Sequence, residues 1–328
     1  MSKLENKKEK MILPPKHDVS LASFAPYLEW VVCDLCGSDD YKILYPATYT
    51  EHDFSTERFR SFTYANCDYA RGHIVRCKNC GMVYMNPRDS DVASLYNKVE
   101  EDDFYFSSAE DRIISFRRDL EQFEKIIGKI NSKQLLDVGC SYGFLLDVAV
   151  ERGWKVWGSE LSKKQSSYAA ERHPGVCNNA VSECNFPSNF FDAITAYEIL
   201  EHVSSPREFL KDLRQVLRPG GYLAMTTPNV AGWEAKLMGR YWLNLIRMHL
   251  YYFSPGTIRR ILEEEGFTVI SIKHHYRIVT LGSAIRWMKK YPIFYYPLHL
   301  LFGNRFAKNW RVLCGLNGNI TVFARKNF

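Results

Sequence analysis

The 328-residue chain is 46% apolar and 24% charged with a formal net charge of +6, an ordinary globular composition at a length that implies a main domain plus an appended module. It contains no run of eighteen or more uncharged apolar residues, and its lysine-rich first ten residues lack an apolar core, which excludes a membrane-spanning helix and a recognisable export signal. Nine cysteines, an odd number and partly in paired motifs, argue for a reducing, cytoplasmic compartment rather than a disulfide framework.

In chain order, residues 1–26 read as a flexible tail and residues 27–100 as a small metal-binding module. Cys33-Asp-Leu-Cys36-Gly37 and Cys77-Lys-Asn-Cys80-Gly81 are two C-x-x-C-G knuckles with forty residues between them. The two-residue spacing lets neighbouring thiolates bite one ion, and four thiolates make a closed tetrahedral zinc site. Such an ion folds a module whose own core is too small. The gap exceeds the usual fifteen to twenty residues, so an inserted hairpin is expected between the knuckles. Its aromatics would be Tyr41, Tyr45, Tyr49, Phe54, Phe59, Phe62 and Tyr64. Cys67 reads as a small hydrophobe, and His73 as a fifth candidate ligand that the site does not need.

From Asp111 to Ile130 the apolar positions Ile113, Ile114, Phe116, Leu120, Phe123, Ile126, Ile127 and Ile130 keep helical spacing. Residues 101–275 then alternate strands and helices, which implies a parallel sheet wound on both faces. The runs near 134–138, 155–159 and 191–196 are apolar enough for burial on both faces. Asn319-Ile-Thr-Val-Phe-Ala-Arg325 alternates like a reversed last strand.

The stretch Leu135-Leu-Asp137-Val-Gly139-Cys140-Ser141-Tyr-Gly143 is a strand, a glycine turn and a helix start. Glycine lets the backbone turn sharply and approach a ligand, and the exposed amides of such a turn hold anionic groups. The dinucleotide spacing G-x-G-x-x-G fails here, because the glycines stand as Gly139-x-x-x-Gly143. Glu160 ends the next strand twenty-one residues after Gly139, where a carboxylate can accept from both hydroxyls of a ribose; capping the following helix is the competing use. Downstream come Phe191-Asp-Ala-Ile, Glu198-Ile-Leu-Glu201-His202-Val203 and Leu217-Arg-Pro-Gly-Gly221.

In combination these motifs resemble the class I S-adenosylmethionine (SAM)-dependent methyltransferases over roughly residues 110–275. The resemblance implies an α/β, Rossmann-like, doubly wound sheet of seven strands with the last strand antiparallel, preceded by a zinc-ribbon-like module. It implies that SAM is held by Asp137, Gly139, Cys140, Gly143, Glu160, Leu161 and Tyr197, with the adenine near backbone groups around Val181. Gly81-Met-Val-Tyr-Met-Asn-Pro-Arg88 and Leu95-Tyr-Asn97 resemble the zinc-binding front end of bacterial methyltransferases of sugar, polysaccharide and secondary-metabolite pathways. The implied acceptor is a small molecule, a nucleotide- or lipid-linked sugar among the choices; an RNA methyltransferase and a non-catalytic binding module are the alternatives.

By the same resemblance His202 would face the cofactor and His249, in Arg247-Met-His-Leu-Tyr-Tyr-Phe-Ser-Pro255, would face the acceptor beside Tyr251 and Tyr252. These two histidines are the candidate catalytic groups, whereas His274 and His275 read as structural. After Glu265 there is no acidic side chain and there are ten basic ones, so the first 265 residues carry a net −4. Residues 276–315 read as a basic, aromatic insertion or cap ahead of a last strand at 316–328. That insertion suits an anionic membrane surface at its inner face, a sugar-linked diphosphate or RNA phosphates, or else covers the acceptor pocket with its charges solvated.

Overall fold

The computed structural model describes residues 21, 27–49, 71–90, 105–106, 108–130, 132–287, 292–302, 310–315 and 318–328. The expected aromatics Phe54, Phe59, Phe62 and Tyr64, together with Cys67, Leu95-Tyr-Asn97, Lys289, Lys290, Arg305 and Lys308, lie outside the described residues. Besides the short antiparallel pair Leu28–Glu29 and Arg88–Asp89, the strands in chain order are β1 (Tyr41–Tyr45), β2 (Ile74–Cys77), β3 (Val83–Met85), β4 (Gln134–Val138), β5 (Lys155–Ser159), β6 (Val176–Cys177), β7 (Phe191–Tyr197), β8 (Leu217–Pro228), β9 (Tyr251–Tyr252), β10 (Phe267–His274), β11 (Arg277–Thr280), β12 (Arg311–Cys314) and β13 (Asn319–Lys326). Besides a short helix at Trp233–Met238, the α-helices are α1 (Ala109–Ile127), α2 (Phe144–Glu151), α3 (Lys163–Ala170), α4 (Pro206–Val216), α5 (Pro255–Glu264), α6 (Leu281–Trp287) and α7 (Pro292–Phe302).

The chain divides into two compact units. Unit 1 takes residues 1–100, 200–211 and 228–265; unit 2 takes 101–199, 212–227 and 266–328.

Unit 2 holds a seven-stranded sheet in the order β10-β13-β8-β7-β4-β5-β6. The pairs β4–β5, β4–β7, β5–β6 and β7–β8 are parallel, and β10 pairs antiparallel with β13. The fold is therefore Rossmann-like with a reversed last strand, as the sequence predicts. The chain winds from β4 out to β6 on one side and resumes at β7 on the other. That reversal opens a crevice at the carboxyl end of β4, where ligands of doubly wound sheets bind. Amphipathic α1 covers the sheet with Leu120, Phe123 and Ile127, which pack with Leu135, Leu145, Trp154, Ala193 and Phe323. Burying each such side chain contributes about 1.5–3 kcal/mol, so the helix is anchored where its polar face borders the crevice.

Unit 1 holds an antiparallel four-stranded sheet, β9-β3-β2-β1. β1 and β2 pair across the long gap between the knuckles, as the hairpin expectation requires of its base. Ile74, Val83, Met85, Trp242, Leu245 and Tyr252 form the core of this unit. Polar residues tie its segments together. Asn86 exchanges two hydrogen bonds with the Val31 backbone, and Arg247 makes a two-pronged bond to Asp89 at 2.8 and 2.6 Å.

One correction concerns the cysteines. Cys177 and Cys184 form a disulfide in unit 2, where the composition argued against disulfides. The edge strand β6 ends in a turn of 3-10 helix, Val181–Glu183, which returns the chain until the two Cα atoms are 5.8 Å apart, within the span a disulfide bridges. It is one local bond rather than a framework.

Candidate functional site

The turn after β4 is built from backbone geometry that side chains resist. Gly139, Ser141 and Gly143 have φ of 71°, 50° and 80°. A Cβ on Gly139 would lie 2.2 Å from Ile199 Cδ1, so glycine is required there for space as well as for conformation. The Gly139 and Cys140 amides donate to Ser159 O at 2.8 and 3.2 Å, fastening the turn to the end of β5. Gly139→Ala is expected to destabilise unit 2 by about 1–3 kcal/mol; a thermal melt unchanged from wild type contradicts this account of the turn.

This turn forms one wall of a cavity of about 410 Å³ within unit 2, a size suited to a nucleoside-scale ligand. Asp137, Gly139, Cys140 and Ser141 come from the turn, Asp111, Arg112, Ser115 and Asp119 from α1, Tyr197, Glu198 and Thr226 from the ends of β7 and β8, and His275 and Arg277 from the start of β11. Two buried hydroxyls on this wall, Ser141 Oγ and Tyr197 OH, have no hydrogen-bond partner among the described residues. Unmet buried hydroxyls cost about 1–3 kcal/mol each, so the wall is preformed for polar groups of a ligand.

Its charges point the same way. Asp137 accepts from Thr195 Oγ1 at 2.7 Å, yet burial raises its carboxyl to about 7 because no cation faces it. Asp119 makes no hydrogen bond among the described residues, and its one ion-pair contact is to His275 Nδ1 at 4.0 Å. Burial raises Asp119 to about 7 as well. Burial, with Arg277 beside it, lowers His275 to about 4, so His275 is neutral and accepts or donates with Thr321 Oγ1 at 2.9 Å. Burial would raise Glu198, but its ion pair with Arg277 holds it at about 2. The cavity thus keeps one saturated ion pair and two carboxyls that burial holds high, Asp119 despite the charges of Arg118 and Arg277 and Asp137 with no cation facing it, a setting that attracts a positively charged ligand.

Of the residues singled out from the sequence, Asp137, Gly139, Cys140 and Tyr197 line this cavity. Gly143 caps α2. Glu160 Oε2 accepts from the Ser141 amide at 3.0 Å and Oε1 from Ser162 at 2.8 Å, so Glu160 braces the glycine turn from behind; the carboxylate keeps lone pairs for further donors. Leu161 is largely exposed and Val181 buried, and neither is on the cavity wall. Sequence reasoning missed Asp119, Glu198 and Arg277. Arg277 looked like one of ten tail cations. Four of those ten are bound within unit 2: Arg277 to Glu198, Arg311 to Glu110 and Asp111, Arg325 to Gly220 O, and Lys326 to Asn189 and two carbonyls.

In unit 1 the sulfurs of Cys33, Cys36, Cys77 and Cys80 all lie within 4.8 Å of one another. Cys33 and Cys80 sulfurs are 3.4 Å apart, and those of Cys36 and Cys77 3.5 Å; four sulfurs around one zinc stand about 3.8 Å apart. The knuckle turns carry Gly37 and Gly81 at φ of 72° and 79°, and their amides donate to Cys33 O and Cys77 O at 2.7 and 3.0 Å. His73 is not part of this group; its Nδ1 accepts from the Ala47 amide at 2.7 Å.

His202 and His249 are also in unit 1, both buried, with ring centroids 4.6 Å apart. Neither belongs to the cavity wall of unit 2. Tyr251 donates to Ser204 O and accepts from Arg88, and Tyr252 is fully buried beside His249.

Residues 109–272, half of the chain, match the family described as a methyltransferase domain. The chain is similar to a probable SAM-dependent methyltransferase of Mycolicibacterium smegmatis, 24% identical over 47% of this chain and 59% of that protein. It is similar to a ubiquinone biosynthesis O-methyltransferase of Leptothrix cholodnii, 27% identical over 34% of this chain and 50% of that one. A tRNA U34 carboxymethyltransferase of Idiomarina loihiensis is 29% identical over 44% of this chain and 49% of its own length. The chain spans about half the length of the curated relatives it matches.

Proposed function

This chain belongs to the methyltransferase-domain family of class I SAM-dependent enzymes, and we propose that it moves a methyl group from SAM to a small-molecule acceptor. The observation that carries this reading is the cavity with Asp119 and Asp137 on its wall, two buried carboxyls raised to about 7, Asp137 with no cation facing it. The donor set fits SAM, whose sulfonium and ammonium are positive and whose carboxylate needs donors such as Ser141 Oγ and Arg112. We assign Asp137, Gly139, Cys140 and Tyr197 to the methionine and ribose side, Gly143 to the turn, and Glu160 and Leu161 to the ribose edge. The adenine would lie against the backbone near Val181. When bound, SAM supplies a methyl group activated by its positively charged sulfur. The protein's part is to hold the acceptor in line, exclude water and take up a proton. His249 and His202 are our candidates for the acceptor side, on the strength of the sequence resemblance.

Protonation gives this reading a sign. Asp119 and Asp137 have folded values near 7, above their unfolded range. The folded state therefore binds more protons between the two values, and the ligand-free protein loses stability as pH rises from about 4 through 7. SAM opposes that loss because the cation favours ionised carboxylates. Affinity for SAM is expected to rise by about tenfold between pH ~6 and ~8, with protons released on binding; calorimetry in buffers of different ionisation enthalpy checks both, and an affinity flat with pH contradicts the assignment.

For the acceptor we propose a sugar or a polysaccharide- or lipid-linked intermediate, supported by the likeness of the knuckle segment Cys77–Arg88 to front ends of that group. We propose structural zinc on Cys33, Cys36, Cys77 and Cys80, supported by their sulfur spacing. No helix among the described residues is long and apolar enough to cross a membrane. Contact with an anionic membrane from the cytoplasmic side is a further proposal, supported by exposed Tyr296, Leu300 and Leu301 on α7. An RNA acceptor draws support from the tRNA-modifying relative, but the internal pairing of Arg277, Arg311, Arg325 and Lys326 leaves fewer cations for phosphates. Labelled SAM incubated with nucleic-acid, nucleotide-sugar and lipid fractions distinguishes these: label in the sugar or lipid fraction supports the proposal, label in nucleic acid overturns the acceptor, and no transfer overturns the activity.

A further inference from the structure

Glu201, His202 and His249 form a second cluster in unit 1, apart from the four cysteines. One carboxylate oxygen and one nitrogen from each ring all lie within 4.8 Å of one another, and all three residues are buried. The backbone decides the tautomers. His202 Nδ1 lies 3.0 Å from Met248 O and His249 Nδ1 lies 2.8 Å from Asn244 O. A carbonyl oxygen only accepts, so each Nδ1 carries a proton, which leaves Nε2 as the ring nitrogen that would ligate. A histidine whose far nitrogen donates to a backbone carbonyl is the usual arrangement of a metal ligand, since that bond fixes the ring and raises its basicity.

The backbone of Glu201 is fixed too, because its carbonyl accepts from Leu250 and Tyr251 amides at 2.7 and 3.2 Å. That ties the segment carrying Glu201 and His202 to the one carrying His249. Fully buried Tyr252 stands beside His249, their ring centroids 6.3 Å apart, and with all three members buried the local dielectric is low, which strengthens ligation.

We propose that Glu201, His202 and His249 bind a divalent transition-metal ion, zinc first, as a three-ligand site with an open fourth position for an oxygen donor. Two nitrogens and a carboxylate oxygen suit zinc better than calcium or magnesium, which take oxygen alone. Ligands about 2.0–2.2 Å from one tetrahedral ion stand about 3.3–3.6 Å apart, so the side chains draw in by about 1 Å on loading. An open position distinguishes this site from the closed cysteine cluster: a hydroxyl or carboxylate of the acceptor, or water, completes it. His202 and His249 would then act as ligands rather than as proton acceptors.

The site is read without any enzyme assay. Full-length protein is loaded with zinc, passed through metal-free buffer, and its zinc per chain is counted beside zinc-edge X-ray absorption. His249→Ala and Glu201→Gln are each expected to hold about one equivalent fewer than wild type, whatever the cysteine site holds. Wild-type protein is expected to show a nitrogen/oxygen shell near 2.0–2.1 Å beside the sulfur shell near 2.3 Å. A sulfur shell alone in the wild type, or equal zinc counts in wild type and folded variants, overturns the proposal. The absorption arm needs no variant, so a misfolded His249→Ala leaves the test intact.

Discussion

Cys77→Ser is expected to unfold unit 1 around β2 and β3 and leave the sheet of unit 2 standing. Zinc held by four thiolates contributes about 10–16 kcal/mol to folding in small modules, comparable to the whole stability of a domain. The four sulfurs sit on two turns, and β2 begins its knuckle at Cys77 itself, which bonds through its amide to Met82 O. With no ion bound, the sulfurs of Cys33 and Cys80, 3.4 Å apart, would be protonated thiols with nothing to bind the two turns together. Burial already pushes the Cys80 thiol up to about 11, the state of a thiol with no cation beside it. Hydrogen exchange reads this locally. Amides of Ile74–Cys77 and Val83–Met85 are expected to lose protection by several orders of magnitude in Cys77→Ser or after a strong chelator, while β4 and β7 keep theirs. Unchanged protection after zinc is shown to be removed contradicts a structural role for the ion.

Arg277→Met is the second large effect. Arg277 pairs with Glu198 on the cavity wall and stands near Asp119. Removing one partner of a sequestered ion pair leaves the other uncompensated, at a cost of about 3–5 kcal/mol when burial is complete. Glu198 and Arg277 side chains keep 32% and 28% exposure, so solvent screening reduces this to about 2–3 kcal/mol. The sign with pH follows from Glu198. Its folded value near 2 lies below the unfolded range, so the pair contributes stability above about pH 4.5 that is lost as pH falls toward 2. In Arg277→Met that contribution disappears and Glu198 titrates upward. Adding Glu198→Gln is expected to restore most of the loss, because the unpaired charge is then gone. Denaturant melts of the two single variants and the double variant measure the coupling; additive effects contradict a direct pair.

The parts of the fold visible in the sequence were those carried by short continuous segments. The glycine turn of residues 137–143, the buried runs at β4, β5 and β7, and the alternation of β13 each depend on neighbours within a few positions. The amphipathic spacing of residues 111–130 placed α1 within a few residues of its observed ends. The charged wall of the cavity was not visible, because its members come from distant segments. Asp119 sits on the polar face of α1, where an aspartate looks solvated until the sheet and β11 close over it. Arg277 and His275 follow β10 by only a few residues, yet face Glu198 nearly eighty residues earlier. The Cys177–Cys184 disulfide escaped for a related reason, since its geometry depends on the 3-10 turn at Val181–Glu183. The paired glycines of Leu217-Arg-Pro-Gly-Gly221 suit the stop of a helix, and α4 does end at Val216, directly before them. What local reading does not reveal is that β8 already starts at Leu217 and shifts register before Tyr222, with Gly220 at φ of 71°.

Titration of SAM and of S-adenosylhomocysteine into the full-length protein at neutral pH bears most directly on the cation-seeking cavity of unit 2. One ligand per chain is expected, with SAM held more tightly than its uncharged-sulfur product and Asp137→Asn weakened by about ten- to a hundredfold, the effect of losing a charged partner. No heat from either nucleoside, or an Asp137→Asn protein that binds both as the wild type does, would contradict it.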